Sequence, residues 1–423
     1  MSISSAESLL EFIDASPSPY HCVTEAAKRL TRAGWSETTW DLDFIPPARG
    51  FVRVGGALIA WSNDESVLDP VLMIGAHTDS PNLRIVQRPD RSVSGVRQLG
   101  VSPYGGVLLN SWLDRDLGLS GRVVVRSGAG VEVRLMRDDR PLLRVPQLAI
   151  HLDRTISTDG LKLDPSRHLT PVWGLGDSLP GEFSAWLGET VGVDPHDVVG
   201  WDVMCHDTLP AGFLGRDEEL ISAPRLDNQV SCYGALEALI GQGSRRGRTL
   251  LVALFDHEEV GSETTTGAGG ALLAQVLERL ASAWSAGPDG LSLALSGGQC
   301  LSADMAHATH PNYPERHDPA HQIALGGGPV VKVNVNQRYA SDGPTSGRFR
   351  VVCDAAGVPH QTYSHRNDMQ CGSTIGPMTA ARLGIPTVDV GMAQLSMHSI
   401  RELMATSDVA HMVDAFGAWF QRV

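Results

Sequence analysis

Five short motifs in the 423-residue sequence carry imidazole or carboxylate groups where an apolar strand ends or a loop turns. They are His77 and Asp79 in "GAHTDSPN", Asp227 in "RLDN", Glu258 and Glu259 in "FDHEEVGSE", Asp304 in "SADMAH" and His398 in "SMHSIRE". Taken singly, each residue reads as an ordinary cap, turn former or hydrogen-bonded core group. Together they offer a histidine and a terminal carboxylate for each of two divalent ions, one carboxylate to bridge them, and one more to move a proton. Two ions about 3.5 to 4 Å apart can share a water, lower its pKa and orient it for attack. Imidazole and carboxylate without thiolate suit zinc, with manganese or cobalt as substitutes.

The pair at 258 and 259 invites the zinc helix H-E-x-x-H, but position 261 is Gly and the second histidine is absent. The run Thr249 to Phe255 before it is continuously apolar, the pattern of a fully buried strand. Adjacent carboxylates at such a strand's C-terminal end, where open α/β sheets keep their ligands, can divide metal binding from proton transfer. "VLMIGA" at 71–76 predicts a second strand delivering His77 and Asp79 to the same edge. A loop followed by a helix is expected from about Asp227 to Ile240, and strand and helix alternate again through 249–256 and 267–283.

Between these parts the texture changes. Short segments such as "GRVVVRSGAGVEVRLM" with Gly turns predict a β-rich module, giving an expected division into 1–88, 89–221 and 222–423 with the middle part inserted. Leu9, Leu10, Phe12 and Ile13 form one face of a short N-terminal helix rather than an export signal. Six cysteines lie scattered without C-x-x-C pairs, and read as reduced thiols of a cytoplasmic protein. A net charge of -14 argues against nucleic acid, and no apolar run is long enough for a membrane span. The same charge gives an acidic substrate no long-range attraction, so a local cation would have to recognise it. "GGG" at 326–328 lacks the flanks of a dinucleotide site and reads as a turn.

The motifs "GAHTDSPNLRI", "PQLAIHLDR", "APRLDNQ", "FDHEEVGSE", "SADMAHATHPNY", "VKVNVNQRYAS", "CGSTIGPMTAARLGI" and "QLSMHSIRE" closely resemble the M18 metallo-aminopeptidases, the aspartyl aminopeptidases, from residue 12 almost to the C-terminus. The resemblance implies an α/β catalytic domain of the zinc-peptidase type with a central mixed sheet, interrupted by a β-rich dimerisation domain. It implies a homo-oligomer, a tetrahedral dodecamer built from dimers. It makes His77 and His398 terminal ligands of two zinc ions, Asp227 the bridge, Glu259 and Asp304 terminal carboxylates, and Glu258 the general base. Asp79 would hydrogen-bond His77 and fix its tautomer, a support that metal-bound histidines commonly need.

Two residues carry a different reading with the family than without it. His151 on its own is a strand histidine paired with backbone; the resemblance sends it into a neighbouring subunit's site to stabilise the reacting carbonyl. Lys332, alternating with Val331 and Val333, is on its own an outward, solvated lysine. The resemblance places it with Tyr339 in a pocket for an acidic side chain, so the expected substrates are peptides with N-terminal Asp or Glu. His257 is left out of the metal set as facing the other side of the strand. His307, His310, His317 and His321 lie in a Pro- and charge-rich stretch that reads as a solvated loop. Asp256 before His257 departs from the family's "NHEE"-like context. Rival readings are a broad-specificity aminopeptidase or a deacylase on the same metal platform, and a catalytically silent scaffold.

Overall fold

A computed structural model of the chain describes residues 2–41, 44–65 and 67–423. Two compact units emerge: Met1–Asp79, Ala211–Met397 and Glu402–Val423 form the first, Ser80–Pro210 and His398–Arg401 the second. The divisions expected after residues 88 and 221 fall inside strands Asn82–Val93 and Leu220–Ala223. Each strand follows its hydrogen bonds. Asn82–Val93 pairs with Val96–Tyr104 in the second unit, and Leu220–Ala223 pairs with Glu402–Ala405 in the first.

The first unit is built on a nine-stranded mixed sheet. Its centre is the parallel set Thr249–Phe255, Val71–His77, Gln299–Ala303 and Thr387–Gly391, in that spatial order. Alternation sorts their side chains onto two faces. Leu72, Ile74, Ala76, Leu250, Val252 and Leu254 enter one core, while Val71, Met73, Leu251, Ala253 and Phe255 enter the other. Fully burying a side chain of this size stabilises the fold by about 1.5 to 3 kcal/mol. Both faces are therefore closed, which is why these strands read as unbroken apolar runs.

Helices Ser2–Asp14, Pro19–Arg32, Leu226–Gln242 and Ser407–Arg422 cover the first face, and Leu272–Ala283 the second. Pro19–Arg32 begins with Ser18, whose side chain accepts from His21 N–H, and with Pro19 at its first position, where the missing N–H costs nothing. A five-stranded sheet, in the order Gly212–Leu214, Leu220–Ala223, Glu402–Ala405, Ala393–Leu395 and Ala306–His307, completes this unit. The second unit is β-rich: six antiparallel strands cover a core that includes Leu83, Leu119, Val123, Val203 and Phe183. Among the described residues no helix is long and apolar enough to cross a membrane.

Candidate metal centre

Because its central strands are parallel, the first unit gathers their C-terminal ends along one edge. His77 is the last residue of Val71–His77 and pairs in register with Phe255. Asp304 follows Gln299–Ala303 directly, and Glu258 and Glu259 open a short 3₁₀ turn three residues past Phe255. Asp227 comes from the entry of helix Leu226–Gln242, where φ/ψ of Asp227 (-82°, 106°) and Asn228 (-126°, 27°) are still non-helical. The peptide between those two residues is cis.

His77 is the hub. Its Nε2 lies 3.4 Å from Asp227 Oδ1, 3.6 Å from Asp304 Oδ1 and 4.0 Å from Glu258 Oε2. Its Nδ1 lies 3.0 Å from the backbone carbonyl of Asp79 and 3.4 Å from that residue's carboxylate. A neutral His77 that donates from Nδ1 in this way would present its Nε2 lone pair to a metal ion. Asp79 also accepts N–H bonds from Glu258 and Glu259, 3.1 Å each, one on each carboxylate oxygen. The same side chain thus orients the histidine and fixes the turn that carries both glutamates.

Ligand atoms of His77, Asp227 and Asp304 lie within 4.8 Å of one another, and so do those of His77, Glu258 and Glu259. Burial alone would lower the His77 pKa, but hydrogen bonding with Asp227, Asp304 and Asp79 and the charge of Glu258 raise it well above 6.5. Burial pushes the Glu258 carboxyl up to about 8; His77 opposes the rise, and the charges of Asp304, Asp79 and Asp227 add to it. Carboxylates crowded around one imidazole in a buried place repel each other unless positive charge is supplied. Nitrogen and oxygen donors at this spacing fit a divalent ion such as zinc.

Residues the sequence reading passed over brace the centre from behind. Glu402, 2% exposed, accepts the Asp227 N–H at 2.9 Å, and Asn228 donates to the Ala303 carbonyl at 2.7 Å. The Cys232 thiol donates to the His77 carbonyl at 3.0 Å. A hint existed for Glu402, which ends the quoted "SMHSIRE"; nothing in the sequence told its role from that of a surface glutamate.

Lys332 is not the solvated lysine its alternation predicts. Only 2% exposed, it donates to Asp304 Oδ2 at 3.2 Å and to the Met305 carbonyl at 3.0 Å, with its ammonium 5.2 Å from the centre of the Tyr339 ring. Val330, Val331 and Lys332 are buried and Val333 half-buried, so alternation there does not mark an outside. His257 stays out of the metal groups, for a different reason from the one expected. It lies beyond the strand in left-handed backbone (φ 65°), with Nδ1 3.1 Å from Thr264 Oγ1. Among the described residues His307, His310, His317 and His321 join no metal-type group; His317 Nε2 accepts the His310 N–H, and His321 meets Asp318. The glycines at 326–328 form a turn whose Gly326 and Gly328 N–H groups bond Asp408.

Two expected site residues belong to the second unit. His398 has Nδ1 3.0 Å from the Gly106 carbonyl, and a Cβ at Gly106 would stand 3.0 Å from that nitrogen, so a small residue is needed there. His151 lies in an exposed turn and not in a strand, flanked by exposed Ile150 and Leu152.

An α/β unit whose parallel strands converge on a buried imidazole and several carboxylates offers the donor set that a metal-dependent hydrolase needs. Residues 12–420 match the family described as Aminopeptidase I zinc metalloprotease (M18), and the chain belongs to that family of zinc metallo-aminopeptidases. It is 51% identical over 423 residues to a probable M18 family aminopeptidase 2 of Streptomyces avermitilis, covering 98% of this chain and 97% of the relative. A chain in the cryo-EM structure of the Ape4 and Nbr1 complex superposes with a TM-score of 0.93 at 33% identity, covering 99% of this chain and 86% of that one. The S. cerevesiae mApe1 dodecamer gives 0.85 at 26%, covering 99% and 96%.

Proposed function

We propose that the protein removes N-terminal Asp or Glu from peptides with two divalent ions, and that it works as a homo-oligomer resembling the mApe1 dodecamer. The observation that carries the hydrolytic part is the buried cluster around His77. In this reading His77 and Asp304 would hold one ion and Glu259 and His398 the other, with Asp227 shared between them. When bound, the ions lower the pKa of a water and polarise the scissile carbonyl. Glu258 takes a proton from the attacking water and returns it to the departing amine. Asp79 keeps His77 and the Glu258–Glu259 turn in place.

The acidic preference rests on Lys332. Its ammonium lies beside Asp304 and the Tyr339 ring, and two of its three N–H groups are engaged by Asp304 and Met305. A substrate carboxylate can take the third. A hydrogen bond to a charged group contributes about 1.5 to 3 kcal/mol, so Lys332→Met should lower kcat/KM for Asp- and Glu-peptides by about 10 to 150-fold. Leu- and Ala-peptides should change little. The 3.2 Å pair with Asp304 favours a second reading, in which Lys332 only steadies a ligand. That reading requires equal losses on acidic and neutral substrates, together with lower zinc content. A panel of aminoacyl chromogenic substrates run with zinc, manganese or cobalt separates the two. An N-acylated panel alongside it tests for deacylase chemistry.

Assembly enters through His151, whose exposed turn suits a side chain that acts on another subunit. Removing one donor to a developing oxyanion costs about 10² to 10³-fold in kcat. His151→Phe should fall in that range with metal content and oligomer size unchanged. Mixed oligomers of His151→Phe and Glu258→Gln should regain activity, since each subunit supplies what the other lacks. Verified hybrids that stay inactive would remove the shared site from the mechanism.

A further inference from the structure

Asp389 lies in the middle of strand Thr387–Gly391 and is fully buried, an unusual place for a carboxylate. Its Oδ1 accepts from Ser302 Oγ and Thr374 Oγ1, 2.6 Å each, and its Oδ2 accepts from the Ala340 N–H at 2.6 Å. Its own N–H donates to Ser341 Oγ at 2.8 Å. Three donors converge on one side chain that has none to offer in return. Gly376 closes the cradle: a Cβ there would stand 2.3 Å from Oδ2.

The three partners lie on three segments. Ser302 is on the strand that leads into Asp304, Thr374 caps helix Ile375–Leu383, and Ala340 and Ser341 follow Tyr339 in the loop that brings that ring to Lys332. Asp389 is therefore bonded to the next residue beyond the aromatic wall; burial raises its pKa, and the charge of Lys332 opposes the rise. The strands make the link short, since Val331, next to Lys332, pairs with Val390, next to Asp389.

We propose that Asp389 is a positioning residue for substrate selection: its carboxylate on the Ala340 N–H and its own N–H on Ser341 Oγ hold the 339–341 loop so that Tyr339 and Lys332 keep the geometry that receives an acidic side chain. The proposal rests on the assignment of Lys332 and Tyr339 to that side chain. Asp389 joins none of the metal-type groups among the described residues and acts only through Lys332 and Tyr339. A carboxylate is required for its acceptor count. In Asp389→Asn the amide adds donors to a place already supplied with three, so at least one hydroxyl or N–H loses its acceptor whichever way the amide turns.

The experiment measures kcat and KM of Asp389→Asn on Asp- and Leu-peptides, alone and combined with Lys332→Met, with zinc content and melting temperature measured on each protein. Asp389→Asn should raise KM for the acidic substrate about 10-fold, the lower end of what a hydrogen bond to a charged group contributes. Its kcat should stay within about threefold, and the Leu-peptide should be little affected, a split that a general loss of packing would not produce. In the Lys332→Met background the substitution should leave the acidic-to-neutral ratio where Lys332→Met alone puts it, because residues acting through one contact are not additive. Should Asp389→Asn not fold, Ser341→Ala, which alters the loop side alone, must lower the same ratio. A ratio that falls with Lys332→Met but not with Asp389→Asn or Ser341→Ala overturns this inference and leaves the specificity reading intact. A ratio unmoved by Lys332→Met sinks the specificity reading itself.

Discussion

Glu258→Gln should retain zinc and lose turnover. The substitution keeps the side chain's shape while removing the acceptor that a water's proton needs, and general-base catalysis contributes about 10² to 10⁴-fold. The backbone gives reason to expect an otherwise native site. The Glu258 N–H is held by Asp79 Oδ1 and the Glu259 N–H by Asp79 Oδ2, bonds that do not involve the substituted side chain. An amide of nearly the same shape leaves those backbone bonds in place, so the variant should melt close to the parent. Metal analysis, a melting curve and kcat on one preparation test all three expectations. Near-normal kcat, or a preparation stripped of zinc, would show that Glu258 and Glu259 have their roles reversed.

Much of this cluster could be read from the chain because His77, Asp304, Glu258 and Glu259 stand at, or just past, the ends of strands buried on both faces. "VLMIGAH" and "TLLVALF" are apolar without interruption, so the first ionisable residues after them mark where each strand leaves the core. Such patterns locate residues along the chain but say nothing of what faces them across it. On its own Asp79 also reads as a turn former, the resemblance makes it a support for His77, and the structure gives it a further task, holding two N–H groups 179 and 180 residues away. Lys332 shows the converse failure. Alternation with valines predicts an outward face only when one side of a strand is wet, and this strand has none. The inserted unit's limits were hidden for a related reason. Asn82–Val93 and Leu220–Ala223 are equally plausible strands in either unit, and only their long-range partners decide between them. Asp389 is the extreme case, a lone carboxylate inside "TVDVG" whose three donors come from residues 302, 340 and 374.

Asp227→Ala should change the protein's response to chelator as well as its activity. If Asp227 bridges the ions, its loss removes a ligand from both, and activity should fall to background with zinc content. Stability follows by linkage. An ion that binds only the folded state stabilises it by about 2.7 kcal/mol at a free concentration a hundred times its Kd. The parent should therefore melt at a markedly lower temperature in excess EDTA, while the variant's melting temperature should barely move. Without metal Asp227 still meets His77 at 3.4 Å, so the variant loses that contact in either condition and loses the ions only where zinc is present. The gap in unfolding free energy between parent and variant should accordingly be wide in zinc and narrow in EDTA. A gap of the same width in both conditions would mean that Asp227 supports the entry of helix Leu226–Gln242 and does not hold metal, and the bridge would have to be sought among the remaining carboxylates.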